Sequence, residues 1–142
     1  ALLGTLWFIF SHSAQPAAVS GAQSRGVLAF VNQALRGWGL PGVSEHLWRK
    51  AAHFVEFMVL GWWMLLCTRA FAARVARWMP WLWGAGILCA AADEGIQFFV
   101  PGRSARISDV LLDGCGVLAG LVLARAAIWA WTRLHGRAEE RR

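Results

Sequence analysis

Hydrophobic residues in this chain fall into long blocks separated by short polar breaks, and four of the blocks read as membrane-crossing helices. Ala1 to Phe10 is apolar and ends at Ser11-His12-Ser13. Ten residues of helix cover about 15 Å, half of a hydrocarbon core of about 30 Å. This block is therefore expected to be the end of a longer first transmembrane helix. Residues 14–49 form the longest connection, in which Gln15-Pro16 and Ser20-Gly21 signal loop. Val27, Leu28, Val31, Ala34, Leu35 and Trp38 then recur with helical period, while Arg25, Asn32, Gln33 and Arg36 take the other face. That pattern predicts a short amphipathic helix lying on the membrane surface. Gly37 to Gly42, with Pro41 inside, breaks it, and Ser44 is placed to cap the next helix.

The second membrane helix is expected over Glu45–Cys67, the third over Trp81–Val100 and the fourth over Ser108–Trp131. Pro101-Gly102 ends the third. The predicted fold class is an all-α membrane protein: four transmembrane helices in a bundle, plus a short interfacial amphipathic helix between the first and second. One domain spans residues 1–136, followed by a charged tail over 137–142, and no internal repeat is visible.

Composition sharpens this picture. The chain is 58% hydrophobic and only 15% charged, which fits a membrane bundle better than a soluble core. A net charge of +6 raises the question of nucleic acid, but the Arg residues gather in short loops and the tail, as the positive-inside rule expects. No nucleic-acid partner is expected; the bilayer is. Arg69, Arg74, Arg77, Arg133, Arg137, Arg141 and Arg142 share one side and place it in the cytoplasm. Arg25, Arg36, Arg49, Lys50, Arg103 and Arg106 share the other, where acidic residues offset them. Cys67, Cys89 and Cys115 lie in apolar segments without metal-ligand spacing and read as small packing residues.

Five of the eight acidic residues fall in three segments that interrupt the apolar blocks. Charge near hydrocarbon is costly, so each such group needs a partner, a wet pocket or a function. Lys50, His53 and Glu56 stand at i, i+3 and i+6 on the second helix, where His53 and Glu56 can touch and Lys50 can reach Glu56 or a headgroup phosphate. Asp93, Glu94 and Gln97 occupy one arc of the third helix, shared with Gly86 and Ala90. Asp109, Asp113, Gly116 and Gly120 form one stripe of the fourth, whose GxxxG sequence suits close packing on a neighbouring helix of the same chain. Asp109 suits the helix N-terminus. Arg103, in the Pro101–Ser104 turn, has a fork that matches carboxylate or phosphate. His12 reads as a marker of the membrane boundary, the alternative being that it lines the site from the first helix.

Together these residues predict one polar site built by three helices: Lys50, His53, Glu56, Asp93, Glu94, Gln97, Arg103, Asp109 and Asp113. His53, Glu56, Asp93 and Glu94 are the candidates for acid/base work. His53, Glu56, Asp93, Glu94 and Asp113 are the candidates for metal ligation. The pattern demands no cofactor and is compatible with a divalent metal.

The runs Arg49-Lys50-Ala51-Ala52-His53-Phe54-Val55-Glu56-Phe57, Asp93-Glu94-Gly95-Ile96-Gln97-Phe98-Phe99-Val100-Pro101-Gly102-Arg103 and Asp109-Val110-Leu111-Leu112-Asp113-Gly114-Cys115-Gly116 resemble the three signature blocks of the VanZ-like membrane proteins. Phe8-Ile9-Phe10-Ser11 resembles the end of that family's first helix. Asp113 stands where such proteins often carry Asn, and Phe57 where Tyr is common. The resemblance implies a small multi-pass protein of the bacterial plasma membrane. The family is named from members associated with low-level resistance to teicoplanin, a glycopeptide acting on the cell wall.

Two functions are weighed on this basis. In the first, the polar site faces outward and recognises an anionic envelope component: a lipid headgroup, a lipid-linked wall precursor or a glycopeptide, with a link to glycopeptide resistance. Lys50 and Arg103 would hold the anion. In the second, the chain is a membrane-embedded, metal-dependent enzyme acting on a lipid headgroup or lipid-linked substrate. A transporter ranks behind both; it would require an oligomer, and the sequence is compatible with one.

Overall fold

The computed structural model describes residues 1–72 and 74–139. Five α-helices follow one another: α1 (Leu2–Ser13), α2 (Ala17–Gly37), α3 (Glu45–Phe71), α4 (Met79–Phe98) and α5 (Ile107–Glu139), with a single 3-10 turn at Val75–Trp78 before α4. No strand occurs among the described residues. Helix α5 carries on through Trp131 into the predicted tail, of which residues 140–142 lie outside the described chain.

The α3–α5 pair is the spine. The two helices start at the same end of the molecule and run side by side, and glycine decides how closely they approach. A side chain on Gly116 would strike the Phe54 carbonyl oxygen, one on Gly120 the Met58 carbonyl oxygen, and one on Gly61 the Val117 carbonyl oxygen. Both backbones thus lie where a single methyl group would not fit, as in small-residue packing between membrane helices. The GxxxG of α5 serves α3 of the same chain, as the sequence suggests. Val117 fills the gap toward α4, where Gly86 leaves room for its methyl groups. Helix α4 runs antiparallel to this pair and is tied to it by the Trp83 indole N–H donating to the Gly114 carbonyl (2.9 Å).

The core holds Ile9, Phe57, Leu60, Leu65, Ala90, Val117, Leu121 and Ala124, so α1, α3, α4 and α5 all contribute. Outside it, large apolar side chains face outward over the whole length, among them Leu3, Trp7, Phe71, Leu88 and Trp131. Two helices, α3 and α5, are long and apolar enough to cross a membrane. Only 22% and 39% of their most apolar stretches are buried within the chain, so most of that apolar surface awaits an apolar solvent.

The helix between α1 and α3 is longer than the sequence suggests. Ser20 and Gly21 were expected in loop, yet α2 begins straight after Pro16 and includes both. Pro16 supplies the fixed φ (−54°) that launches the helix. Ser20 is buried and Gly21 lies close against Glu45, so tertiary contact overrides their weak helix preference. The helix ends where predicted. Gly39 adopts φ 73°, with Gly39 N–H donating to Arg36 and Leu40 N–H to Leu35, a Schellman termination. The following loop is pinned back on α2 by a two-way amide pairing: Val43 N–H donates to Asn32 Oδ1 (2.7 Å) and Asn32 Nδ2 donates to the Val43 carbonyl (3.1 Å). Ser44 caps α3 by accepting from Leu47 N–H.

Candidate functional site

The polar residues of α3, α4 and α5 gather at the end of the bundle where α3 and α5 begin and α4 stops. They reach it because α3 and α5 are parallel: residues near the start of each helix, 59 positions apart in sequence, lie at the same depth. Lys50 Nζ donates to Asp109 Oδ1 across this gap. Lys50 therefore pairs with α5, and not with Glu56 on its own helix.

Deeper, Asp93 is completely buried, with Oδ2 accepting from the Ser13 hydroxyl (2.8 Å) and from Gln97 Nε2 (2.9 Å). Gln97 and Asp93 are one turn apart on α4, so their pairing follows from helical spacing; Ser13 arrives from α1. His53 Nδ1 lies 4.0 Å from Asp93 Oδ2 and 4.0 Å from a Glu56 oxygen. The other Glu56 oxygen is 3.9 Å from His12 Nδ1. The Glu56 carboxylate thus sits between two imidazoles, and His12 lies against the site, as the alternative reading had it. Asp113 is also buried, and both of its oxygens lack a hydrogen-bond partner among the described residues, as do Asp93 Oδ1, His53 Nδ1 and His12 Nδ1.

Glu94 and Arg103 turn out to be structural on one side and to face the cavity on the other. A Glu94 oxygen accepts the Arg106 backbone N–H (2.9 Å), fixing the segment that leads into α5. Arg103 lies in the turn made by Gly102 (φ 79°). Its Nη2 donates to the His12 carbonyl (3.1 Å) and the Ser20 hydroxyl (3.1 Å), and its Nε to the Gln15 carbonyl (3.2 Å). Most of the fork thus caps the C-terminus of α1, whose last carbonyls have no partner within their helix. Burial, with the Arg49 charge nearby, lowers the Arg103 pKa from its ordinary value.

A cavity of about 80 Å³ opens among these groups, lined by both signs of charge: Arg49, Lys50, Arg103 and Arg106 against Glu94, Asp109 and Asp113, with His46, His53 and Gln97 between them. It is large enough for several waters or a compact polar group. Of the residues expected at the site, Lys50, His53, Glu94, Gln97, Arg103, Asp109 and Asp113 line this cavity. Asp93 lies behind it, and Glu56 lines a shallow cleft between α1 and α3 instead. His53, Asp93 and Asp113 each bring one potential ligand atom within 4.8 Å of the others and are the group of described residues best placed for a metal ion. Glu56 and Glu94 stand outside that group. Ser13, Ser20 and His46 were missed as participants, while Arg49 was counted among the site's cations without a role of its own. Ser13 follows His12 in the first block and no spacing links it to Asp93; Arg49 was visible beside Lys50.

The profile of the VanZ/LLP1 family matches residues 1–130. The chain belongs to the VanZ/LLP1 family. The match takes in all three polar blocks and the end of α1 that meets them. With the two long apolar helices it is consistent with a membrane protein. Neither a curated protein nor a solved structure matches this VanZ-like chain.

Proposed function

We propose that this VanZ-like protein sits in the bacterial plasma membrane as a multi-pass bundle of α1, α3, α4 and α5, with α2 lying in the interface. The cavity opens toward the outer face and binds the phosphate of an anionic envelope lipid or lipid-linked wall precursor. The orientation is supported by the opposite end, where Arg69, Arg74, Arg77 and Arg125 line a groove with no acidic residue among its lining. A link to glycopeptide resistance follows if the ligand is a wall precursor.

One observation carries the ligand class. Lys50 is paired with Asp109 and Arg103 with α1, but the Arg49 and Arg106 side chains line the mouth with no carboxylate partner among the described residues. Two guanidiniums held in no ion pair among the described residues suit a phosphate, since each fork offers paired donors to tetrahedral oxygens. The anion-holding role thus moves from Lys50 and Arg103 to Arg49 and Arg106.

The test is lipid retention. Protein extracted in mild detergent should co-purify with phosphate-bearing lipid, and the Arg49→Ala/Arg106→Ala double variant should lose most of it while remaining folded. Equal lipid in both samples would overturn the reading. The enzyme alternative rests on His53 and Asp113 lining the same cavity; turnover of a bound lipid-linked pyrophosphate by the wild type would favour it.

A further inference from the structure

We infer that His53, Asp93 and Asp113 form a binding site for one divalent transition-metal ion at the floor of the cavity. This goes beyond headgroup recognition and stands independently of it. The three residues come from three helices, α3, α4 and α5, and one ligand atom of each lies within 4.8 Å of the other two. Proximity alone would not carry the inference; the hydrogen-bond pattern does. Asp113 is 1% exposed, and neither of its oxygens has a partner among the described residues. Asp93 Oδ1 and His53 Nδ1 likewise have no hydrogen-bond partner among the described residues, and all three residues belong to the cluster. A buried carboxylate with no donor is costly, and a second carboxylate beside it adds to the cost.

No nearby cation donates a hydrogen bond to Asp93 or Asp113 among the described residues. Lys50 is held by Asp109, and Arg103 is directed to the His12 and Gln15 carbonyls and the Ser20 hydroxyl. What does reach the cluster is a pair of donors that orient it: Ser13 and Gln97 both bind Asp93 Oδ2, leaving Oδ1 turned free. A ligating carboxylate held through its second oxygen is a recurring feature of metal sites. The cavity lined by His53 and Asp113 supplies a route from the mouth and room for water to complete the coordination.

The donors select the ion. Two carboxylates balance a double positive charge. One imidazole with two carboxylates suits Zn²⁺ or Mn²⁺ better than Mg²⁺ or Ca²⁺, which favour oxygen alone. Zinc ligands sit about 2.0–2.2 Å from the ion, so two of them lie at most about 4.4 Å apart. Groups within 4.8 Å of one another reach that span with little side-chain rotation, which the unpartnered carboxylate of Asp113 allows.

The experiment uses detergent-purified full chain, free of affinity tag. The metal content is measured as purified, and the chelator-stripped protein is then titrated with ZnCl₂ or MnCl₂ while its thermal unfolding is followed. Wild type should bind one ion per chain, and its melting temperature should rise with the ion and fall with chelator. Asp113→Asn and His53→Ala should each weaken binding at least 100-fold, roughly the upper end of what loss of a supporting hydrogen bond costs. Both should also lose the chelator response. The Arg49→Ala/Arg106→Ala variant should keep the ion whether or not it keeps lipid, which separates this site from the phosphate reading. Less than 0.1 ion per chain in wild type after titration, or a chelator response unchanged by Asp113→Asn, would overturn the proposal. Should Asp113→Asn fail to fold, the wild-type titration and His53→Ala still decide.

Discussion

The two ends of the bundle carry charge in opposite ways. At one, acidic and basic side chains from four segments converge on a cavity of about 80 Å³, and several are fixed by named partners. At the other, a broad groove of about 940 Å³ is lined by Arg69, Arg74, Arg77 and Arg125 among apolar walls of Leu65, Val75, Ile128 and Trp129. Nearly every Arg there is without a polar partner among the described residues; Arg125 makes only a long contact to Met79 sulfur (4.0 Å). The difference follows from solvent. An exposed guanidinium at a membrane edge is solvated by water and lipid phosphate and needs only to be present, which is what sets topology. A carboxylate taken into the bundle needs its partner placed to within an ångström. The first end is therefore sensitive to geometry, and the second to composition.

The largest effect should come from the seam that joins the two ends. Gly120→Val would force α5 off the Met58 backbone, and overpacking of this kind costs about 3 kcal/mol. Reversible unfolding in mixed micelles should show that loss, and both ends should lose their shape. If Gly120→Val unfolds like wild type, the α3–α5 spine is wrong. Next, Arg103→Ala removes three charge-assisted hydrogen bonds that tie down the end of α1, the linker after it and the start of α2, a loss of about 2–3 kcal/mol. Hydrogen exchange should speed up in α1 and the start of α2 and hardly at all in α5.

Ser13→Ala should cost about 1–2 kcal/mol, since it strips one donor from the buried Asp93 oxygen while Gln97 keeps the other. The same unfolding measurement reads it, and no change would mean that α1 does not close on the site. Lys50→Ala should cost less, about 0.5–1 kcal/mol, because the Lys50–Asp109 pair is partly open to solvent. Smallest in stability is the other end: Arg74→Ala and Arg77→Ala should each stay within about 0.5 kcal/mol of wild type. Their effect should appear instead in topology, read by labelling single cysteines placed at either end. A destabilisation of Arg74→Ala as large as that of Arg103→Ala would erase the distinction between the two ends.

Much of this protein was determined by local sequence. Helices α3 and α5 follow from long, mostly apolar runs, and their boundaries follow from Ser44 and from the Pro101-Gly102 turn. The GxxxG of α5 signals close packing, and the three polar blocks identify the family. Each of these is a property of neighbouring residues, and helical periodicity makes such properties readable. The pairing of Gln97 with Asp93, one turn apart, belongs to the same class.

What only the tertiary structure decided is which group meets which. Lys50 meets Asp109, Ser13 meets Asp93 and Arg103 meets His12, Gln15 and Ser20, across 59 to 91 residues of chain. The early part of α2 belongs here too: Ser20 and Gly21 carry loop propensity and become helical because burial against the bundle outweighs it. So does the separation of Glu56 from the cavity that holds His53, although the two are one turn apart on α3. Helical spacing tells which residues share a stripe, but the depth and rotation at which helices dock tell which stripes face one another. In this chain docking is governed by backbone contact at Gly61, Gly116 and Gly120, where displacement by a single methyl group would re-pair every charge above it.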